Sequence, residues 1–218
     1  GAEGGNAMWV KVCGIQKRED AEAAIRAGAE AVGLVFAPSP RQLCLAQAKE
    51  LSRSIPKRLF RVGVFVDQRP EEVERIAREV GLDLLQLHGT VSPSYCGYFS
   101  RLPWGLIKAW RMDEGNWERV AEYQGLVGAL LLDSSAGSGK TFPWRQVEKV
   151  PWAGKLILAG GLTPGNVAQA IGQARPWGVD ATSSLESRPG QKDPEKIAAF
   201  VRAAKNAGRE SDVSKVAR

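Results

Sequence analysis

The feature that most limits what this chain can fold into is a repeat. Short apolar runs return along the whole length, each followed by a longer amphipathic stretch. The runs start near Trp9, Ala31, Phe60, Leu84, Gly105, Ala129, Leu156 and Gly178, at steps of 22, 29, 24, 21, 24, 27 and 22 residues. Each step holds one strand, one helix and two short loops. Runs such as Phe60–Val66 (FRVGVFV), Ala129–Leu132 (ALLL) and Leu156–Ala159 (LILA) lack the polar alternation of a half-solvated strand. Parallel strands covered on their outer face read this way.

The intervening stretches carry helix punctuation. Arg18–Ala27 is rich in Ala, Glu and Arg and stops at Gly28. Pro70–Val80 opens on Pro, Glu and Glu and stops at Gly81. Thr163-Pro164 reads as a cap and first-turn proline ahead of Gly165–Gln173, and Asp193-Pro194 opens the last helix in the same way. Eight such units in about 200 residues predict a single-domain (βα)8 TIM barrel of eight parallel strands over residues 9–207. An open, doubly wound sheet would carry a glycine-rich fingerprint after its first strand, where this chain has Cys13-Gly14-Ile15. Residues 1–8 are expected to be a tag or flexible lead-in, and residues 208–218 a flexible basic tail.

Composition narrows the function classes. No window of the 218 residues approaches the roughly 18 apolar residues of a membrane span. Cys13, Cys44 and Cys96 are odd in number and form no C-x-x-C pair, which argues against a disulfide framework or a zinc site. A reducing cytoplasm is the expected compartment. Of the net charge of +6, half comes from Val201–Arg218. No nucleic-acid reader motif accompanies that charge, so a solvated terminus is expected, with neither nucleic acid nor membrane as partner.

Chemistry in such a barrel sits at the C-terminal ends of the strands. The ends supply, in order, Cys13; Pro38-Ser39-Pro40-Arg41; Asp67; Gln86-Leu87-His88-Gly89; Lys108; Asp133 with Gly137-Ser138-Gly139-Lys140; Gly160-Gly161; and Asp180 through Glu186. Gly160-Gly161 after the seventh strand and Thr182-Ser183-Ser184 after the eighth form the clearest signal. Glycines let backbone N–H groups approach an anion and hydroxyls add donors, so a phosphorylated small molecule is the expected ligand. Position alone leaves Cys13 open between a packed thiol and a functional one. Asp133 follows a run of apolar residues, where a carboxylate is costly unless paired or used. Arg41 offers a fork suited to a carboxylate. His88 is the only histidine, so no histidine cluster can hold a metal; a structural hydrogen bond or a place in the pocket lining is expected of it. Asp67, Lys108 and Lys140 stand equally open between site and surface.

Taken in order, these segments resemble phosphoribosylanthranilate isomerase, a barrel enzyme of tryptophan biosynthesis. The matching stretches are Lys11-Val12-Cys13-Gly14-Ile15, Ser39-Pro40-Arg41, Gln86-Leu87-His88-Gly89, Leu131-Leu132-Asp133, Gly137 through Phe142, Leu158 through Pro164 and Gly178-Val179-Asp180. The resemblance implies an Amadori rearrangement that needs neither cofactor nor metal. It implies Cys13 as general base, Asp133 as general acid and Arg41 on the anthranilate carboxylate. Gly160, Gly161, Asp180, Ser183 and Ser184 are the further substrate-binding candidates. The chain departs from the family at Thr182-Ser183-Ser184, where Ser-Ser-Gly is usual. The alternative is a related phosphosugar isomerase of histidine biosynthesis, or a dual-substrate version. Such enzymes look for a carboxylate at the end of the first strand, where Cys13 stands. The expected assembly is a monomer or homodimer.

Overall fold

A computed structural model describes residues 7–135 and 143–216, with side chains as far as residue 211. Eight strands close into one parallel barrel in sequence order. They are β1 (Trp9–Cys13), β2 (Ala31–Val35), β3 (Phe60–Val66), β4 (Leu84–His88), β5 (Gly105–Arg111), β6 (Ala129–Asp133), β7 (Lys155–Ala159) and β8 (Gly178–Ala181). Seven of the strands begin at the expected residue, and β7 begins one residue early. Closure is made by β1 against β8, with Lys11 opposite Asp180.

The period-2 alternation of each strand sorts its side chains. Trp9, Ala31, Val62, Ile107, Ala109, Ala129, Leu131, Ile157 and Ala159 fill the barrel interior. The opposite set, including Val10, Val12, Val32, Leu34, Leu85, Leu130, Leu132 and Leu158, meets the covering helices in a continuous core. Burying one such side chain contributes about 1.5–3 kcal/mol.

Helix α1 (Arg18–Ala27) ends at Gly28, whose φ of 92° lets its N–H reach the carbonyls of Ala24 and Ile25. Helix α2 spans Leu45–Ser54. Helix α3 (Pro70–Val80) buries Val73, Ile76, Ala77 and Val80, the i, i+3, i+4, i+7 stripe of an amphipathic helix. Helices α5 (Val167–Ala174) and α6 (Pro194–Val216) close the far side. α6 runs on through residues expected to form a flexible tail, and Met8, expected in the lead-in, is buried in the core.

Among the described residues the eight-helix expectation fails after β4, β5 and β6. Among the described residues, only the five-residue α4 (Pro93–Gly97) and short 3-10 turns at Met112–Glu114, Trp117–Tyr123 and Trp144–Lys149 cover that arc. Gly97, Pro103, Gly115, Gly125, Gly128, Pro143 and Pro151 interrupt these stretches too often for longer helices. Aromatic rings take over the covering. Trp104, Trp110 and Trp117 pack on the core and donate their indole N–H groups to the carbonyls of Leu82, Gly115 and Met112.

Candidate active site

The C-terminal mouth of the barrel holds a cavity of about 500 Å³. Its wall includes Cys13, Arg41, Gln86, His88, Asp133, Gly160, Gly161, Asp180, Thr182 and Ser183, drawn from six of the eight units. Cys13 is the last, inward-facing residue of β1 and is buried. Its place depends on Gly33 in the neighbouring strand. A Cβ on Gly33 would run into the Cys13 Sγ and lie 3.1 Å from the Cys13 Cα. The thiol therefore fills space that a side chain on β2 would take.

Asp133 ends β6 and half-emerges into the cavity. Its Oδ1 accepts hydrogen bonds from the Ser135 N–H at 2.9 Å and the Ser135 hydroxyl at 2.5 Å. Gly160 crosses close to this carboxylate with φ of 87°; a Cβ there would overlap Oδ1 and the Ser134 and Ser135 amides. Glycine is required at 160 both by the left-handed backbone and by contact with the carboxylate.

Beneath these two residues the barrel is polar. Lys11 is fully buried, and its Nζ lies 3.2 Å from Asp180 Oδ2. Burial opposes its charge, but Asp180 and the Cys13 thiol beside it carry its pKa above the ordinary lysine value. Burial pushes the Asp180 carboxyl up, against the pull of Lys11. Asp180 Oδ1 is buried without a hydrogen-bond partner among the described residues, and Asp180 lines the cavity. On the opposite wall the Gln86 Nε2 and His88 Nε2 are 2.7 Å apart. Burial, with Lys11 and Lys108 nearby, lowers the His88 pKa to about 4.

Arg41 lines the same cavity but is already held. Its Nε donates to Glu186 Oε2 at 2.9 Å and its Nη2 to Glu186 Oε1 at 2.5 Å. Lys192 Nζ lies 3.2 Å from Glu186 Oε2, and the Gly190 N–H donates to the same oxygen at 3.1 Å. Burial opposes ionisation of Glu186, and its contacts with Arg41 and Lys192 overcome that, so its carboxyl stays below the usual range. A carboxylate on the substrate would meet the remaining N–H groups of a guanidinium already fixed in direction.

The structure brings together Cys13, Arg41, Asp133, Gly160, Gly161, Asp180 and Ser183 around one cavity. Ser184 stands outside its lining, and its hydroxyl donates to the Leu162 carbonyl at 2.5 Å. Asp67 anchors a loop by accepting from the Thr90 N–H at 2.8 Å. Lys108, expected at a strand end, sits inside β5 and packs against Trp110 and Tyr123 on the outer side. Gly137–Lys140 and the rest of the Gly137–Phe142 segment lie outside the described residues. Gln86 and Glu186 appear in the sequence only as strand-end residues and Lys11 only within a matching stretch, with no site role assigned to any of the three. The alternation of β1 and β4 puts Lys11 and Gln86 inward with Cys13 and His88, which is the signal that could have found them. Glu186 meets Arg41 across 145 residues of chain, with no local pattern to announce it.

No group of three His, Cys, Asp or Glu residues among those described stands ready to hold a metal ion. Together the fold and the mouth define a barrel enzyme with a thiol and a carboxylate facing one cavity, beside a glycine and hydroxyl lining suited to an anion. The match to known proteins is close. The N-(5'-phosphoribosyl)anthranilate isomerase family model matches residues 10–203. The N-(5'-phosphoribosyl)anthranilate isomerase of Desulforudis audaxviator is 42% identical over 206 residues, covering 91% of this chain and 98% of the relative. The crystal structure of phosphoribosyl anthranilate isomerase from Thermotoga maritima superposes with a TM-score of 0.85 at 38% identity, covering 91% of this chain and 99% of its own. A structure of such an isomerase in complex with reduced 1-(o-carboxyphenylamino)-1-deoxyribulose 5-phosphate gives 0.81 at 36% identity, covering 91% and 99%. This chain belongs to the N-(5'-phosphoribosyl)anthranilate isomerase family.

Proposed function

We propose that this chain performs the Amadori rearrangement of N-(5-phosphoribosyl)anthranilate to 1-(2-carboxyphenylamino)-1-deoxyribulose 5-phosphate, a step of tryptophan biosynthesis. Asp133 is the general acid and Cys13 the general base. The observation that carries this reading is their placement at the ends of β6 and β1 on a single cavity, in a chain of this family. Asp133 protonates the ring oxygen of the furanose, and the ring opens to a Schiff base. The Cys13 thiolate then removes the proton from the adjacent sugar carbon. The resulting enolamine takes up a proton at carbon and relaxes to the ketone. Each positioned acid or base typically contributes ~10²–10⁴-fold.

Gly160, Gly161 and Ser183 are assigned to the phosphate and Asp180 to the sugar hydroxyls, and Arg41, oriented by Glu186, is assigned to the anthranilate carboxylate. Ser184 serves by holding the loop after β7. The rearrangement is internal to the substrate and transfers no electrons to a second molecule, so the reading includes neither cofactor nor metal. The histidine-pathway alternative is disfavoured by a thiol where such enzymes look for a carboxylate. The assigned setting is the cytoplasm, as a monomer or homodimer without a nucleic-acid or membrane partner; no described helix is long and apolar enough to cross a membrane.

The test is direct. The purified chain is given phosphoribosylanthranilate, and loss of anthranilate-type fluorescence is followed. Cys13→Ser and Asp133→Asn should each lose at least ~10²-fold in turnover with little change in binding. Parent-like turnover in both variants would refute the assigned roles.

A further inference from the structure

The Gln86–His88 contact takes no part in the steps above, yet both residues face the reaction cavity. Gln86 is 2% exposed, and its Oε1 is buried with no hydrogen-bond partner among the described residues. Its Nε2 is 2.7 Å from His88 Nε2. An amide nitrogen has only hydrogens to offer, so the ring nitrogen facing it must accept. That leaves the single proton of a neutral imidazole on Nδ1. Nδ1 has no protein partner in the hydrogen bonds of the described residues and is not among the buried unpartnered atoms. The positive charges of Lys11 and Lys108 also oppose a second proton on the ring.

We propose that Gln86 is a positioning residue that fixes His88 as the Nδ1–H tautomer. The ring then presents one uncharged donor to an acceptor oxygen on the substrate's aromatic acid. An aryl-amine substrate with an ortho carboxylate carries that acceptor. This deepens the isomerase reading and rests on it for the identity of the substrate. The ring therefore discriminates against ligands that lack the matching acceptor.

His88 is the sole histidine of the chain, so its ring signals need no assignment by elimination. The intact chain labelled with ¹⁵N at histidine, with any histidine tag removed, should show a protonated Nδ1 and an unprotonated Nε2 at pH 6. A cationic ring at that pH, or the Nε2–H tautomer, would overturn the proposal, and this needs no variant to fold. In Gln86→Leu, which cannot donate, the two tautomers should mix. KM should then rise about fivefold, the factor of one neutral hydrogen bond, with kcat changed less than about twofold. In Gln86→Glu the carboxylate should draw a proton onto Nε2 and raise the ring's titration point, visible in the same spectra. Unchanged ring signals in a folded Gln86→Leu would also overturn it. Full turnover by Cys13→Ser would instead refute the acid–base assignment and leave the ring result standing.

Discussion

Glu186→Gln is the most informative single change outside the acid–base pair. The parent carboxylate is buried and joins two cations, Arg41 and Lys192, with a third partner in the Gly190 N–H. An amide keeps one acceptor oxygen. If that oxygen serves Lys192 and Gly190, the new NH₂ faces the Arg41 Nη2, donor against donor. One charge-assisted hydrogen bond is lost, about 1.5–3 kcal/mol. Breaking a fully buried pair costs about 3–5 kcal/mol, and the Arg41 side chain keeps 18% exposure, which softens the loss. The expected cost is about 2–3 kcal/mol, or a melting temperature lowered by about 5–10 °C for a chain of this size. Arg41 must then be ordered by the substrate instead, at about 1–2 kcal/mol of side-chain entropy, which raises KM about tenfold. Calorimetry and steady-state fluorescence read the two effects. Glu186 is held below its ordinary pKa, so its contribution is present at neutral pH and is lost as pH falls through its native titration point. The stability gap between parent and variant should therefore close on acidification. A melting point within about 2 °C of the parent, with unchanged KM, would refute the view that Glu186 orients Arg41.

Other expectations are simpler. Gly33→Ala should push the Cys13 thiol aside and cut turnover by about 10²-fold, as a misplacement of about 1 Å can; parent-like kcat would show that the thiol has room to spare. His88 titrates near 4 in the folded protein against 6.5 unfolded, so the unfolded chain binds the extra proton between those values and stability falls as pH drops from 6.5 to 4. His88→Gln should remove up to roughly 3 kcal/mol of that dependence, less because the ring partly faces the open cavity; identical acid denaturation curves would count against it. Arg61 is buried and donates to the carbonyls of Ser52, Ile55 and Leu59, so Arg61→Met should destabilise by about 3 kcal/mol through stranded acceptors. Thermal melting decides that last case.

Strand positions were legible because a buried parallel strand is written in consecutive residues. Ala129–Leu132 or Phe60–Val66 needs no distant partner to be recognised. Helices α1 and α3 were legible to the residue, since Gly28 and Gly81 mark their ends locally. The cladding of β4 to β6 was not, because stretches of the right length do not reveal that glycine and proline have cut them into turns. Within the site, Cys13, Asp133 and the Gly160-Gly161 turn followed from position in the repeat. The Arg41–Glu186 and Lys11–Asp180 pairs did not, as they join residues 145 and 169 apart in sequence. The contact of Ser184 was not legible for a similar reason, since its partner, the Leu162 carbonyl, lies on another loop.

The uneven cladding of the barrel has a consequence for how the molecule breathes. β1, β2, β3, β7 and β8 lie beneath regular helices, among them the 23-residue α6. β5 and β6 lie beneath 3-10 turns of three to seven residues, whose hydrogen bonds are poorer and whose buried contacts are fewer. Opening free energy follows local packing, so amide protons of β5 and β6 should exchange with solvent sooner than those of β1 and β8. Asp133 would then ride on the more yielding arc, while Cys13 and the glycine turn stay on the stiffer one. On the proposed assignment the acid, Asp133, should then be the more mobile end of the proton path and the base, Cys13, the stiffer one.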